Sequence, residues 1–389
     1  MLSDIPFASG HRTSTGTEEA SAGRALRVAF FSDAFPERNG TGAYYHDLLG
    51  QLDGHLQSHR VFQPTADGPR RLFSIPMPGD SAQRLGAPPL LSVQADCRSL
   101  RPNVVVVVTP GLFGLLGIWM AKKHRATLVS AFHTDFEQLA RMYWNPVSRC
   151  FVNLVLRTVN RIVCRAGQAV FVNNAGLRDE VVALGAREVK VIGTPLPSAF
   201  IGRPTVPISP SMHRVCFAGR LAPEKNVEEI VAAARAMPDV EFVIAGDGPR
   251  RNALVSQARG CHNIRFVGWL SREQLIDLID SSSLLLLPSS FETFGSVALE
   301  AMARGRPALV SVQSGIYAWP TLHDGLVPME SPPALLPKLR ELQALSPAAW
   351  TGKSVAARDL ARELNSQTIR HWAHLLDYYN AHGATTGKP

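Results

Sequence analysis

Short apolar runs alternate along the chain with longer stretches in which apolar residues recur every three to four positions. RVAFF from Arg27, and the runs Asn103 to Val108, Thr127 to Phe132, Ala169 to Val172 and Val189 to Ile192, read as strands. Helical stretches lie between them, the first from about Tyr44 through Leu52. This alternation predicts a parallel α/β domain. A proline-rich stretch between Gly193 and His213, with Pro195, Pro197, Pro204, Pro207 and Pro210, interrupts it and reads as a linker. The alternation then restarts at RVCFA (214), EFVIA (241), IRFV (264), LLLL (284) and ALVS (308). Two similar α/β domains, residues 26–195 and 214–360, therefore flank a linker at 196–213. From Ala361 to Gly383, Leu364, Ile369, Trp372, Leu375, Leu376 and Tyr379 share one helical face, which predicts a helix packed on the rest of the protein in a segment 361–389. Residues 1–25, rich in Ser, Thr, Gly and Glu, read as a disordered tail.

The stretch Pro288 to Gly305, PSSFETFGSVALEAMARG, follows the buried run Leu284 to Leu287 and reads as loop, then helix. In that helix Val297, Ala298, Ala301 and Met302 face a core, with Ser296, Glu300 and Arg304 on the other side. Helical side chains lean toward the N-terminus, so Glu300 leans toward the loop carrying Glu292. That loop lies above the carboxyl end of a strand, where open α/β sheets bind ligands. Taken singly, Glu292 reads as a helix cap and Glu300 as a solvated residue. Together with the Phe294-Gly295 turn, which leaves the N–H groups of Phe294 to Val297 at a helix start, they imply a polar, partly anionic ligand.

Two further loops carry matching chemistry. FAGRLAPEKN, Phe217 to Asn226, projects Arg220 and Lys225 from the end of a strand, a fork and a point charge suited to a diphosphate. IAGDGPRR closes the next strand with Gly246-Asp247-Gly248-Pro249. In the first domain, Asn39-Gly40-Thr41-Gly42 is a glycine loop between strand and helix; a tight turn and a phosphate loop are both open readings. It is not a dinucleotide fingerprint, because Tyr45 stands where the third glycine would be.

Composition narrows the class. The chain has 389 residues, 46% apolar and 19% charged, which describes a globular protein with room for two cores. Its five cysteines are scattered with no CxxC pair, so buried thiols in a reducing cytosol are expected. No apolar run is long enough to span a bilayer. The net charge of +8 is concentrated: between Arg98 and Lys190, 13 Lys or Arg stand against 5 Asp or Glu. No nucleic-acid signature accompanies the excess, so a membrane surface or a phosphorylated ligand fits it better than nucleic acid. Arg149, Arg157, Arg161 and Arg165 form a stripe opposite Phe151, Val155, Val159 and Ile162. An ordinary buried helix with a solvated arginine face and a helix lying on a membrane both fit that stripe, with Lys122, Lys123 and Arg125 adding charge nearby.

GRLAPEK, IAGDGP, FVGWL and PSSFETFGSVALEAMARGRP, in this order and spacing, resemble the second domain of the retaining GT-B glycosyltransferases of family 4. VVVVTPGLFG and LVSAFHTDFEQLARMY resemble the first domain of that family's lipid-glycosylating branch, the sulfoquinovosyl, diacylglycerol glucosyl and phosphatidylinositol mannosyl transferases. Between Ser311 and Trp350 the resemblance fades. It implies a GT-B fold, two Rossmann-like domains facing a central cleft. It also implies roles. Arg220 and Lys225 bind the donor diphosphate, Glu300 accepts the ribose hydroxyls, and Glu292 with the N–H groups of Phe294, Gly295 and Ser296 holds the donor sugar and its phosphate. Gly246 and Thr293 belong to the same donor set, Gly40 approaches from the other domain, and His133 sits over the transferred sugar. His133, Glu292, Arg220 and Lys225 are then the residues expected at the reacting centre.

No DxD motif is present, and no metal or other cofactor is expected; the nucleotide sugar, a UDP-sugar ahead of GDP-mannose, is a substrate. The expected acceptor is a membrane glycerolipid and the expected location the cytoplasm, peripheral at the inner face of the cell membrane. A soluble or polysaccharide-precursor acceptor is the alternative within enzymes. A non-catalytic sugar-nucleotide-binding protein is the alternative outside them.

Overall fold

The computed structural model describes residues 25–35, 40–64, 74–77, 80–132, 146–209 and 211–383. Residues 1–24, Asn39 and His133 lie outside them, so the expectations for the N-terminal tail and for His133 have no structural counterpart here.

The first half forms a six-stranded parallel sheet from β1 (Arg27–Phe31), β2 (Ser58–Phe62), β5 (Val104–Val107), β6 (Thr127–Phe132), β7 (Val170–Val172) and β8 (Val189–Val191), in the order β2-β1-β5-β6-β7-β8. A separate antiparallel hairpin, β3 (Ser74–Met77) with β4 (Asp80–Gly86), intervenes in the chain. The helices are α1 (Gly40–Gln51), α2 (Leu90–Leu100), α3 (Leu112–His124), α4 (Pro146–Ala166) and α5 (Arg178–Ala183). Alternation along β1 gives the sheet two buried faces: Val28 and Phe30 pack with Tyr45 and Leu48, while Ala29 and Phe31 pack with Phe113 and Leu116.

The second half repeats the plan with β9 (Arg214–Ala218), β10 (Glu241–Ala245), β11 (Ile264–Gly268), β12 (Leu284–Leu287), β13 (Ala308–Ser311) and β14 (Leu326–Met329). Their order, β11-β10-β9-β12-β13-β14, is doubly wound and reverses direction between β9 and β12. The helices here are α6 (Ser198–Gly202), α7 (Val227–Ala236), α8 (Arg251–Gln257), α9 (Arg272–Asp280), α10 (Ser296–Ala303), α11 (Leu335–Gln343) and α12 (Pro347–His382). Two parallel α/β sheets thus match the predicted architecture. β2 and β14 escape pattern reading because each is an edge strand: SHRVF exposes His59 and Arg60, and LVPM carries Pro328.

The proline-rich stretch packs on the second domain, where Leu196 and Phe200 are buried in a core. One expectation needs correction. Arg304, expected on the polar side of its helix, is fully buried. It donates to both oxygens of Asp280 (2.9 and 2.7 Å) and to the carbonyls of Arg203 (2.5 Å) and Pro204 (2.6 Å). Arg306, also buried, donates to Ser282 O and Val206 O at 2.8 Å each. Two guanidinium groups therefore hold the stretch on the second domain, since a strap without its own ladder needs donors for its carbonyls.

The C-terminal helix begins earlier than Ala361. Ser346 caps it by accepting from Ala349 N (3.3 Å), and Pro347 occupies its first turn. Trp350 enters one second-domain core; Ala357, Ala361 and Leu364 enter the other. Trp372, Leu375, Leu376 and Tyr379 then fill the first-domain core beside Tyr44 and Tyr45. One helix is shared by both domains. At the crossing, Trp372 Nε1 donates to Tyr44 Oη (3.0 Å), which donates to Gly193 O (3.1 Å).

Candidate active site

The loops after β9 and β12 lie on either side of the point where strand order reverses, so their ends diverge and leave a crevice between them. Backbone bonds tie the two loops together. Ser290 N donates to Glu224 O (2.9 Å), and the Asn226 side chain donates to Pro288 O (2.9 Å). Asn226 adopts left-handed geometry (φ 48°), a conformation asparagine tolerates, and turns the chain into α7.

On this frame Lys225 Nζ donates to Glu292 Oε2, both side chains being largely buried. Arg220 Nη2 donates to Glu224 Oε1 at 2.8 Å, and the Glu224 side chain is only 3% exposed. A buried carboxylate behind a half-buried guanidinium fixes where that guanidinium points. The structure therefore pairs Lys225 with Glu292 and ties the Arg220 loop to the loop after β12 through Glu224.

Gly246 belongs to the neighbouring loop for a backbone reason. Its φ is +125°, and a Cβ there would lie 1.9 Å from Gly219 O, so only glycine lets these two strand ends pass. Gly295, at φ +97°, caps the start of α10, while Phe294 is buried in the core. At the start of α10 the Ser296 and Val297 N–H groups have no intrahelical acceptor.

Sequence reasoning missed the loop after β13. Gly315 N donates to Glu292 O (2.8 Å) and Ile316 N to Phe294 O (2.7 Å), so residues 314–316 brace the Glu292 segment from behind. A Cβ on Gly315 would lie 1.8 Å from Thr293 O. The Ser314-Gly315 dipeptide after a strand was the available signal. The first domain reaches the same place: Asn174 Nδ2 donates to Thr293 O (3.3 Å), and Trp319 Nε1 donates to Asn173 O (3.1 Å). Neither asparagine carries a motif that would have marked it.

Glu300 lies on α10, half-buried, and among the described residues its carboxylate has no hydrogen-bond partner. Burial pushes this carboxyl up to about 7, against the pull of Arg272 and with a smaller push from Asp47. Gly40 to Gly42 form the first turn of α1, so three of the four residues of the predicted glycine loop are helix. Another helix start is already filled: Asp33 accepts from Gly111 N (3.0 Å), Phe113 N (2.9 Å) and Thr109 Oγ1 (2.6 Å), which occupies the N-terminus of α3 with a protein carboxylate.

Arg157, Arg161 and Arg165 are exposed on α4, where Arg149 also lies without a described side chain. The face opposite is not the one expected. Val155 and Ile162 are about half exposed, and the buried positions are Asn160, Val163 and Cys164. The arginine face is thus apolar as well as basic.

Two parallel doubly wound domains with a donor-type crevice define the GT-B class of fold. The family model described as "Glycosyltransferase Family 4" matches residues 38–198, and "Glycosyl transferases group 1" matches residues 206–318. The chain belongs to the family 4 glycosyltransferases. It is 30% identical over 241 residues to a glycogen synthase of Mycobacterium tuberculosis, a match covering 56% of this chain and 54% of that protein. It is 28% identical over 268 residues to a GDP-mannose-dependent alpha-(1-6)-phosphatidylinositol dimannoside mannosyltransferase of the same species, covering 64% and 68%. The chain thus spans about half the length of the first of these curated relatives. Among solved structures, sucrose-phosphate synthase from Thermosynechococcus elongatus superposes with a TM-score of 0.70 at 17% identity, over 93% of this chain and all of that one.

Proposed function

We propose that the protein is a retaining glycosyltransferase that moves a hexose from a nucleotide sugar to a hydroxyl acceptor. One observation supports this reading: the Lys225–Glu292 pair joins the loop after β9, which also carries Arg220, to the loop after β12 at the switch point. The donor's diphosphate lies against Arg220 and Lys225, with the Ser296 and Val297 N–H groups as further donors. Lys225 then exchanges Glu292 for phosphate, and the freed Glu292 accepts sugar hydroxyls. Gly40 and Thr293 border the same donor, and Glu300 accepts from the ribose.

The bond from the sugar's anomeric carbon to the phosphate oxygen breaks, and its electron pair leaves with the nucleoside diphosphate. The acceptor oxygen forms the new bond on the same face, and its proton passes to the departing phosphate. Charge growing on that leaving oxygen is what the two fixed cations stabilise more in the transition state than before it. UDP-sugars are the first donors to test and GDP-mannose the second. A thermal-shift screen of UDP, GDP and ADP sugars identifies the donor, because a ligand of the native state raises apparent stability. Turnover of the donor found, with release of its nucleotide, tests the transfer; a donor that binds and is never turned over refutes it in favour of a non-catalytic binding protein.

A membrane glycerolipid is the acceptor this structure favours. Helices α3 and α4 pack together, and neither contains an acidic residue. Their outer surfaces expose Leu112, Leu115, Trp119 (43%), Leu154 (65%), Val155 and Ile162. Lys122, Lys123, Arg157 and Arg161 are exposed on the same two helices, and Lys123 Nζ sits 4.7 Å over the Trp119 ring. Exposed leucines and a tryptophan among cations complement an anionic lipid surface better than water. Among the described residues no helix is long and apolar enough to cross a membrane, so the contact proposed is peripheral.

A further inference from the structure

Arg272 is the first residue of α9, and its place is set by a capping box. Ser271 Oγ accepts from Gln274 N (3.3 Å), and the Gln274 side chain accepts from Ser271 N (2.9 Å). The guanidinium reaches across the cleft to α1 of the first domain. Nη1 donates to Asp47 Oδ1 and Nη2 to Asp47 Oδ2, both at 2.6 Å. Asp47 is held there because its neighbours Tyr44, Tyr45, Leu48 and Leu49 are buried in the first-domain core, and because Gln51 Nε2 anchors α1 to Leu196 O (2.6 Å). The Asp47 side chain is 8% exposed.

Arg272 and Asp47 are the charged groups that act on Glu300, and Arg272 directs one N–H of each Nη to Asp47. A guanidinium released next to a glutamate would fork onto it, and a charge-assisted bond of that kind is about twice as strong as a bond to a neutral hydroxyl. Glu300 would then be engaged by Arg272 before a ligand arrives.

We propose that Asp47 and Arg272 are positioning residues for the donor site: Asp47, from the opposite domain, draws the Arg272 guanidinium away and leaves the Glu300 carboxylate open to the ribose hydroxyls of the donor. The residue that clears Glu300 comes from the first domain, so the donor site is completed across the domain interface. This rests on the ribose role of Glu300 in the proposed function.

Calorimetric titration of the full-length protein with UDP and with GDP tests it, taking whichever binds the wild type more tightly. Asp47→Ala is expected to weaken that nucleotide about tenfold, and Arg272→Gln alone to change it less than about twofold. The decisive variant carries both changes. If Asp47 acts by restraining Arg272, Asp47→Ala with Arg272→Gln returns affinity to within about threefold of wild type. A double variant as weak as Asp47→Ala alone overturns the proposal, since the pair would then only brace the domains. So does an Asp47→Ala protein that binds as well as wild type. Glu300→Gln separates the premise from the inference: unchanged affinity there removes the ribose role itself, whereas a loss there without rescue in the double variant removes only the part played by Asp47.

Discussion

Lys225 and Glu292 meet although 67 residues separate them, and their ion pair fastens the loop after β9 to the loop after β12 across the point where strand order reverses. Two groups assigned to different parts of one ligand are thus each other's partner before that ligand arrives. Each charge is the other's partner, and the Glu292 side chain is 20% exposed, so water can reach it when the lysine is gone, unlike the buried Asp280. Removing the lysine should therefore affect chemistry more than folding. Lys225→Ala is expected to lower donor turnover by roughly 100-fold, with only a small shift in thermal midpoint. Activity equal to wild type would remove the diphosphate assignment.

Glu300 makes the site sensitive to pH. In the unfolded chain this carboxyl loses its proton near 4.5, whereas burial in the folded protein holds the proton to about 7. Between those values the folded state binds the extra proton, so the contribution of Glu300 to stability falls as pH rises from 4.5 to 7 and is level above. With the ribose role proposed for Glu300, the carboxylate is the form that accepts, so nucleotide affinity should rise with pH through about 7. Arg272 opposes the shift and Asp47 adds to it. Titrating nucleotide binding and urea stability against pH checks both trends, and Glu300→Gln should flatten both.

The Arg304–Asp280 pair is a matter of stability. Arg304 is fully buried, and besides Asp280 it serves carbonyls of the proline-rich strap. Arg304→Ala leaves a buried carboxylate and several carbonyls without donors, which costs about 3–5 kcal/mol. Urea unfolding of the full chain measures this. A loss below about 1 kcal/mol would contradict the role assigned to the buried guanidinium.

Gly315→Ala tests the brace behind the donor loop. The new methyl must push Thr293 O away from a position 1.8 Å distant, and Glu292 moves with it. A displacement of about 1 Å at reacting groups can cost about 100-fold in rate. The expected result is a drop in turnover of at least tenfold, by the same argument, in a protein that still folds and binds nucleotide; unchanged turnover would show that the loop does not need this support.

Membrane contact has its own readout. Vesicles rich in anionic lipid should retain the protein at low salt and release it as ionic strength rises. Trp119→Ser and Leu154→Ser should weaken that retention without altering release of nucleotide from a soluble donor, because both side chains lie on outer helix faces. If the double variant is retained as strongly as wild type, α3 and α4 are not the docking surface.

The alternation of apolar runs and amphipathic stretches was enough to reveal two parallel α/β domains, since a strand buried on both faces must be apolar throughout and each crossover must be amphipathic. Local motifs were enough to single out Arg220, Lys225, Glu292 and Glu300, because each occupies the end of a strand or the helix following it. What the chain pattern could not convey was partnership. That Lys225 pairs with Glu292, that Arg304 is buried, and that Gly315 holds Glu292 O while Asn174 holds Thr293 O all depend on which loops lie side by side once the strands are ordered. The C-terminal helix was legible as amphipathic, and only packing showed that its two ends enter the cores of different domains. Asp47 and Arg272 are the clearest case. Each reads as an ordinary charge on a helix, and they become a pair because two separately folded domains place α1 opposite the start of α9. Periodicity records which face of an element is buried, but not which distant element buries it.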